Sequence, residues 1–129
     1  MSTRLEQRVV AKTADYAISP AKGDNPGQVF TNAGASGAVV FTLPTPTRAL
    51  LGFWYDFLGV ADQSITVAAA TADTLITKND VAADSIALST SGEKIGGHIR
   101  VTCVKTGSTT YQWLAVGLSV GHTFTVVTA

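Results

Sequence analysis

The sequence predicts an all-β fold: a β-sandwich, jelly-roll or tulip-like barrel of short antiparallel strands with an extended N-terminal arm. Three observations support this prediction. First, β-branched and aromatic residues dominate the chain, and second, turn residues interrupt them at short intervals. The third observation is a near absence of helical patterns, since only residues 3–14 have a helical composition and their β-branched members weaken it. The 129 residues suffice for one domain. We expect a flexible arm over residues 1–20 and a single β domain over residues 21–129.

The first strand pair is predicted around a glycine-containing turn. Residues 29–32 and 38–43 are apolar segments, and the sequence Ala-Gly-Ala-Ser-Gly separates them. This pattern favours a β-hairpin. Pro44 and Pro46 then end the second strand, because proline cannot donate a hydrogen bond to a central ladder.

The aromatic segment 52–60 is predicted to be a central strand. Its two faces are both largely apolar: one carries Phe53, Tyr55 and Phe57, and the other carries Trp54, Asp56 and Leu58. We therefore expect the core to cover one face and a partner to cover the other. Asp56 needs a hydrogen-bond partner if it is buried among these aromatic residues.

The remaining strands follow from local alternation and turn residues. Residues 98–105 and 109–118 alternate between apolar and polar positions on either side of a Thr-Gly-Ser turn, which predicts a long hairpin. Further strand predictions come from three evenly spaced β-prone segments and from the end of the chain: residues 64–67, 74–77, 85–88 and 123–128.

Composition and charge exclude several function classes. The 9 basic residues balance the 9 acidic ones, so the chain lacks the basic excess typical of nucleic-acid binders. No apolar run reaches the length of about 20 residues that a membrane helix needs, and the N-terminus lacks a secretory signal pattern. Charged residues make up only 14% of the chain, which leaves much neutral surface for burial against another subunit.

No catalytic motif is recognisable, and the chain is interpreted as neither an enzyme nor a cofactor or metal protein. His98 and His122 flank glycine-rich bends and could serve as metal ligands or as a base, but they are more simply surface residues beside turns. Cys103 lies in an apolar run and is interpreted as buried rather than nucleophilic. Four aspartates offer oxygen ligands for calcium, although turn residues of this type usually bond the turn backbone: Asp62, Asp73, Asp80 and Asp84.

The aromatic residues are predicted to lie in the core or in a subunit interface. This set comprises Phe53, Trp54, Tyr55, Tyr111 and Trp113. Aromatic side chains are enriched at both places. The alternative is a stacking surface for sugars or bases formed by the tryptophans and tyrosines of this set.

The order of turns and strands resembles that of small structural proteins of tailed bacteriophages. The segment 27–44 carries Asn-Ala-Gly-Ala-Ser-Gly, a β-strand and Leu-Pro, and the Gly-aromatic strand 52–57 follows it. A Gly-x-x-hydrophobic strand, a Trp-hydrophobic strand and a final Gly-His-Thr-Phe-Thr sequence complete the pattern over residues 15–129.

This resemblance implies a head decoration (cement) protein, a homotrimer that binds the major capsid protein on the outside of the phage head and stabilises it. Such a protein is made in the bacterial host cytoplasm and ends on the virion surface. In this hypothesis the arm residues Arg4, Arg8 and Lys12 contact the capsid. Two alternatives stay open, a tail-fibre or receptor-binding domain that recognises a host glycan, and a small enzyme that uses His98 or His122 as its base.

Overall fold

The fold is all-β, as predicted, and the computed structural model describes residues 8–128. No α-helix occurs in this range, which holds eleven strands and the short 3-10 helices Pro20–Lys22 and Arg48–Leu50. The strands are β1 (Val9–Ala11), β2 (Tyr16–Ala17), β3 (Gln28–Thr31), β4 (Val39–Leu43), β5 (Trp54–Leu58), β6 (Ile65–Ala69), β7 (Leu75–Thr77), β8 (Asp80–Leu88), β9 (His98–Lys105), β10 (Tyr111–Gly117) and β11 (Thr125–Thr128).

All eleven strands belong to one curled, open sheet. Its hydrogen-bonded order is β1-β3-β5-β9-β10-β7-β8-β6-β4-β2, and β11 pairs with β8 outside this path. The sheet curls so far that strands distant in this order pack against each other across the core. The prediction of antiparallel strands is correct only in part, because five of the ten strand pairs are parallel.

Four of the five parallel pairs arise because the first six strands alternate between the two ends of the sheet, and the fifth joins β7 to β10. Strands β1, β3 and β5 are parallel neighbours on one side, and β2, β4 and β6 are parallel neighbours on the other. The chain thus winds around the core, and strands that follow each other in sequence do not pair here. We call β1–β6 the wound half and β8–β11 the antiparallel half.

The predicted hairpin between residues 29–32 and 38–43 is therefore wrong. Strand β3 pairs with β1 and β5, whereas β4 pairs with β2 and β6. Strand β4 buries alternate residues, β3 buries Phe30 and Thr31, and the aromatic rings of Phe30 and Phe41 meet in the core at 5.5 Å between centroids. The strands face each other across the core, so the glycine-containing segment is a crossing and not a hairpin turn.

The side chain of Asn32 joins the segment between β3 and β4 to the segment between β5 and β6. Its side chain is fully buried, accepts hydrogen bonds from the backbone N–H groups of Val60 and Ala61, and donates to the carbonyls of Ala61 and Gln63. The two acceptor bonds measure 2.8 and 2.9 Å, and both donor bonds measure 3.2 Å. The segment between β3 and β4 is thereby held to the segment between β5 and β6 by one amide whose donors and acceptor are all satisfied.

The strands from β5 to the end of the chain follow the sequence-based predictions more closely. Strands β9 and β10 form the expected hairpin, in which Tyr111 pairs with Lys105 and Gly117 pairs with Ile99. Strand β5 is central, as predicted, because it lies between β3 and β9. The segments predicted around residues 64–67, 74–77, 85–88 and 123–128 correspond to β6, β7, β8 and β11.

Aromatic rings fill the centre of the core. Phe57 lies 5.7 Å from Phe30 and 5.1 Å from Phe41 between ring centroids, and all three rings are fully buried. Trp113 packs against Tyr55 at 6.0 Å and donates its indole N–H to the carbonyl of Pro44. Removing such a side chain from water stabilises the fold by about 1.5–3 kcal/mol for each ring.

The described part of the predicted arm belongs to the sheet. Strand β1 pairs with β3 from Val9–Val29 to Ala11–Thr31, and Tyr16 in β2 pairs with Phe41 in β4. Residues 8–20 therefore add one outermost strand to each end of the strand order instead of extending away from the domain, which differs from the predicted boundary at residue 20. Residues 1–7 of the predicted arm lie outside the described residues.

Candidate functional site

The predicted aromatic set divides into core and surface. Tyr55 and Trp113 are fully buried in the core, and Phe53 and Tyr111 are partly buried against it. Trp54 alternates with the buried Tyr55 along β5, so it lies on the outer side of the sheet. Of the five aromatic residues, the half-buried Trp54 is therefore the one that strand alternation places on the outer side of the sheet.

Strand register places Trp54 in a row across four strands. Trp54 pairs with Thr102 in β9, Thr102 pairs with Leu114 in β10, and Leu114 pairs with Ile76 in β7. Paired residues project to the same side of a sheet, so this row lies on the outer surface. Leu114 is 37% exposed, and Val116, the next outward residue of β10, is 43% exposed.

A second row of paired residues, which includes a carboxylate and a guanidinium, runs beside the row that contains Trp54. Asp56 pairs with Arg100, and Arg100 pairs with Val116. The guanidinium donates to both carboxylate oxygens of Asp56 at 2.8 and 3.0 Å, a bidentate pair, so Asp56 has the partner that its burial requires. The hydrogen bond to Asp56, followed by the charge of that carboxylate, raises the pKa of Arg100 above its usual value.

Arg100 also stacks on Trp54, with its guanidinium carbon 4.6 Å from the ring centroid. The carboxylate fixes the plane of the guanidinium, and the guanidinium in turn fixes one face of the indole. We call this surface the Trp54 face. It consists of Trp54, Asp56, Arg100, Thr102, Leu114 and Val116.

The two histidines do not form a common site. His98 Nε2 lies 3.4 Å from Asp56 Oδ2 at the border of the Trp54 face, without the geometry of a hydrogen bond. His122 Nε2 lies 3.0 Å from the carbonyl oxygen of Ile95. Within residues 8–128, His, Cys, Asp and Glu side chains form no group of three or more that could hold a metal ion.

The predicted arm residues lie at different places on the wound half. Arg8 donates to the carbonyl of Gly27 at 3.4 Å. The Arg8 guanidinium and the Trp54 indole both lie close to Gly27, since a Cβ atom built there would be 3.0 Å from the first and 3.2 Å from the second. Lys12 is a cation over the ring of Tyr16, with 3.9 Å between the ammonium nitrogen and the centroid. Arg4 lies outside the described residues.

Tyr16 belongs to a hydrogen-bond group around a buried carboxylate. Its hydroxyl donates to Asp24 Oδ2 at 2.6 Å, the backbone N–H of Ser19 donates to the same oxygen, and the Tyr55 hydroxyl donates to the backbone carbonyl of Asp24. Burial, and then the charge and hydrogen bond of Asp24, raise the pKa of Tyr16 to about 12. Burial, followed by the charge of Asp24, likewise raises the pKa of Tyr55 to about 12. A second cation, Lys22, lies 4.7 Å from the Tyr16 centroid.

Two of the predicted calcium-ligand candidates bond backbone groups at turns. Asp84 accepts from the backbone N–H of Asp73, and Asp80 accepts from that of Ala82, each at 2.9 Å. Cys103 is 1% exposed, which confirms its predicted burial, and that burial raises the pKa of its thiol. A buried thiol with a raised pKa is a poor nucleophile.

Comparisons with known proteins add no family assignment. No protein-family model matches the sequence, and no curated protein matches it. Among residues 8–128, no helix is long and apolar enough to cross a membrane.

Proposed function

We propose that this chain is a virion structural protein, a trimeric decoration (cement) protein that binds the outside of a phage head and stabilises it. The observation that carries the proposal is the Trp54 face, because it combines exposed apolar residues with an ordered arginine and tryptophan on the central strands. Trp and Arg are enriched in the contact regions that dominate protein–protein binding, and the exposed leucine and valine add apolar area around them.

In this proposal the Trp54 face is the contact between subunits of the trimer. Leu114 and Val116 supply apolar area, and the Asp56–Arg100 pair is already satisfied within one subunit, so its burial leaves no unpaired charge. The curled sheet then serves as the sandwich or tulip-like barrel that the resemblance implies for each subunit.

The basic residues of the wound half are the proposed contact with the major capsid protein. Arg8 and Lys12 border the first strand, and Lys22 adds a third cation next to Tyr16. Cations on one part of a chain whose net charge is zero favour an acidic or polar partner surface. A trimer that binds only the assembled shell stabilises that shell by mass action.

The trimer is tested by the solution mass of the purified protein and of Val116→Asp. The proposal expects three chains, or a multiple of three, for the wild type, and fewer for the variant because it introduces a charge into the proposed contact. Val60→Asp is the matched control, since Val60 is 50% exposed outside the Trp54 face. A wild-type monomer, or a trimer that Val116→Asp leaves intact, contradicts this use of the Trp54 face.

Capsid binding is tested with undecorated heads and a chain that lacks residues 1–7. Deleting these residues spares β1, whereas a deletion of residues 1–14 also removes a strand of the sheet. We expect the truncated protein to keep its trimer mass and to bind heads more weakly, and Lys12→Ala to weaken binding further. Unchanged binding by both variants would exclude this surface as the capsid contact.

A second candidate function is recognition of a host-surface glycan by a tail-fibre or receptor-binding protein. The observation that favours it is Trp54 itself, an indole on the outer surface with an arginine fixed beside it. Tyr55 and Trp113 cannot take this role because both are fully buried. Binding to host cells that Trp54→Ala abolishes, together with no binding to heads, would establish this function over the first.

A further inference from the structure

Strand β11 is an outer strand of the sheet. Ser85, Ile86 and Ala87 in β8 each pair with a residue of β6 and with a residue of β11. A strand residue pairs with one neighbour on each of its edges, so β11 lies on the side of β8 opposite to β6. The other edge of β11 is paired with no strand among residues 8–128.

The outer edges of the sheet differ in how they are protected. Strands β1 and β2 contain only three and two residues, and cationic residues border them: Arg8 and Lys12 next to β1, and Lys22 after β2. Short length and nearby charges are the usual protection of an edge against pairing with another chain. Strand β11 itself contains neither a charge nor a proline, and the charged side chains of Lys78 and Glu93 bond only the two residues before it, Phe124 and Thr123.

We propose that the outer edge of β11 pairs antiparallel with β11 of a second copy of this chain. The proposal rests on the position of β11 and not on the proposed function. The donors and acceptors of a strand edge alternate, so the same edge turned by 180° presents the complementary groups. A second copy is therefore a partner that matches this edge without any further sequence requirement.

Symmetry limits the register of such a pair. A two-fold axis perpendicular to the sheet keeps each side chain on its own face, and directly opposed residues must share a face. Val126 opposite its own copy fulfils this condition, and Thr125 then lies opposite Val127 of the second copy. Thr128 then lies opposite Phe124, which precedes β11 and whose carbonyl accepts from Lys78 Nζ at 2.9 Å, so the strand-to-strand pairing covers residues 125–127.

The side chains of β11 agree with this arrangement. Val126 and Phe124 pack against the core, whereas Thr125 and Val127 are exposed on the other face. The pairing therefore places neutral β-branched side chains opposite each other on the exposed face. Cross-strand pairs of this type stabilise a sheet, and no like charges oppose each other.

The β11 contact is separate from the Trp54 face. A trimer formed through the Trp54 face keeps its β11 edges free, so the two-fold contact would link neighbouring trimers. In solution the β11 contact doubles the number of chains in the assembly that the other contacts form. The two proposals thus make separate predictions about mass, one for a factor of three and the other for a factor of two.

A pair of charge variants tests the register directly. In Thr125→Lys/Val127→Lys, each lysine faces a lysine of the second copy, whereas in Thr125→Glu/Val127→Lys each glutamate faces a lysine. Both variants alter the same two exposed positions and both remove the hydrogen bond between Ser89 and Thr125. Each serves as the folding control for the other, and the thermal unfolding temperature should agree between them.

We expect the wild type to show an even number of chains at high concentration, as measured by sedimentation equilibrium. The lysine pair should halve this mass or raise the dissociation constant about tenfold or more, and the glutamate–lysine pair should restore association. Hydrogen exchange at residues 124–128 should slow as the wild-type concentration rises. Equal masses for all three proteins, equal dissociation by both variants, or exchange that is independent of concentration would each overturn the proposal.

Discussion

The wound half and the antiparallel half build one core from opposite kinds of pairing. In the antiparallel half, β9 and β10 are joined by five residues and pair directly. In the wound half, Val39 pairs with Ile65 and Val29 pairs with Asp56, so partners lie about 26 residues apart in sequence. Local sequence patterns therefore specify the β9–β10 hairpin, whereas long-range packing and one buried amide specify the wound half.

The largest expected effect comes from Asn32→Ala in the wound half. This change leaves the N–H groups of Val60 and Ala61 without the acceptor that the fully buried amide provides. Each unsatisfied buried group costs about 1–3 kcal/mol, so we expect the free energy of unfolding to fall by about 3–5 kcal/mol. Denaturant titration measures it, with the exposed Asn25→Ala as control. A loss below about 1 kcal/mol would contradict the role assigned to this amide.

The next largest effect is expected where the two halves meet, at Gly59. Its N–H donates to the carbonyl of Gly97 and its carbonyl accepts from Gly96, directly before β9. A Cβ atom here would collide with the backbone carbonyl of Lys94, which cannot rotate away as a side chain would. We expect Gly59→Ala to lower the free energy of unfolding by about 1–3 kcal/mol.

Gly37→Ala is the matched control for Gly59→Ala. Gly37 lies in the crossing between β3 and β4, where a Cβ atom would meet no atom within 4 Å. Thermal unfolding of both variants should show a clear loss for Gly59→Ala and almost none for Gly37→Ala. Equal losses would mean that the junction is no tighter than an open crossing.

The pH dependence of stability should report on the wound half above pH 10. In the unfolded chain a tyrosine has its ordinary pKa near 10, whereas the pKa of Tyr16 and that of Tyr55 are about 12 in the folded protein. The unfolded state therefore loses these protons first, and the free energy of unfolding should fall between about pH 10 and pH 12. Below pH 10 both states keep the protons and this contribution is constant.

Tyr16→Phe separates the two hydroxyl groups in the alkaline measurement. Denaturant titrations from pH 9 to pH 12 should show a shallower decline for this variant, because only Tyr55 then titrates differently in the two states. An unchanged slope would mean that burial and Asp24 do not raise the pKa of Tyr16 in the folded protein.

The smallest effect is expected at the turn between β7 and β8. Lys78 and Asn79 both have positive φ angles, 48° and 68°, as a two-residue hairpin turn of type I′ requires. Glycine is favoured at the second of these positions, so Asn79→Gly should raise the free energy of unfolding by roughly 0.5 kcal/mol. A loss of stability, measured by thermal unfolding, would show that the asparagine side chain contributes more than its backbone strain costs.

The contrast between the halves also explains what the sequence could predict. The β9–β10 hairpin was predictable because alternation, a short turn and the partner strand are contiguous. The apolar segments 29–32 and 38–43 likewise predicted two strands, but an apolar segment does not identify the neighbouring strand. Asn32 fell at the end of the first predicted strand, and no local signal indicates that its amide bonds residues near position 60.

The sequence predicted only part of the Trp54 face, for the same reason. Alternation placed Trp54 and Asp56 on one face of a strand and Arg100 on the polar face of another. Their contact depends on the register of β5 against β9, two strands about 40 residues apart in sequence, and no periodicity gives that register. The division of the aromatic residues into buried and exposed members follows from the same register.

The alternation of the first six strands has a consequence for the order of folding. No strand pair of the wound half can form before a segment about 20 to 27 residues further along the chain is in place, whereas β9 and β10 can pair as soon as their turn closes. The C-terminal hairpin should therefore act as the nucleus, with φ-values from folding kinetics high at Val101 and Ala115 and low at Val39 and Phe41. On the ribosome, the region synthesised first would be the last to acquire its native neighbours.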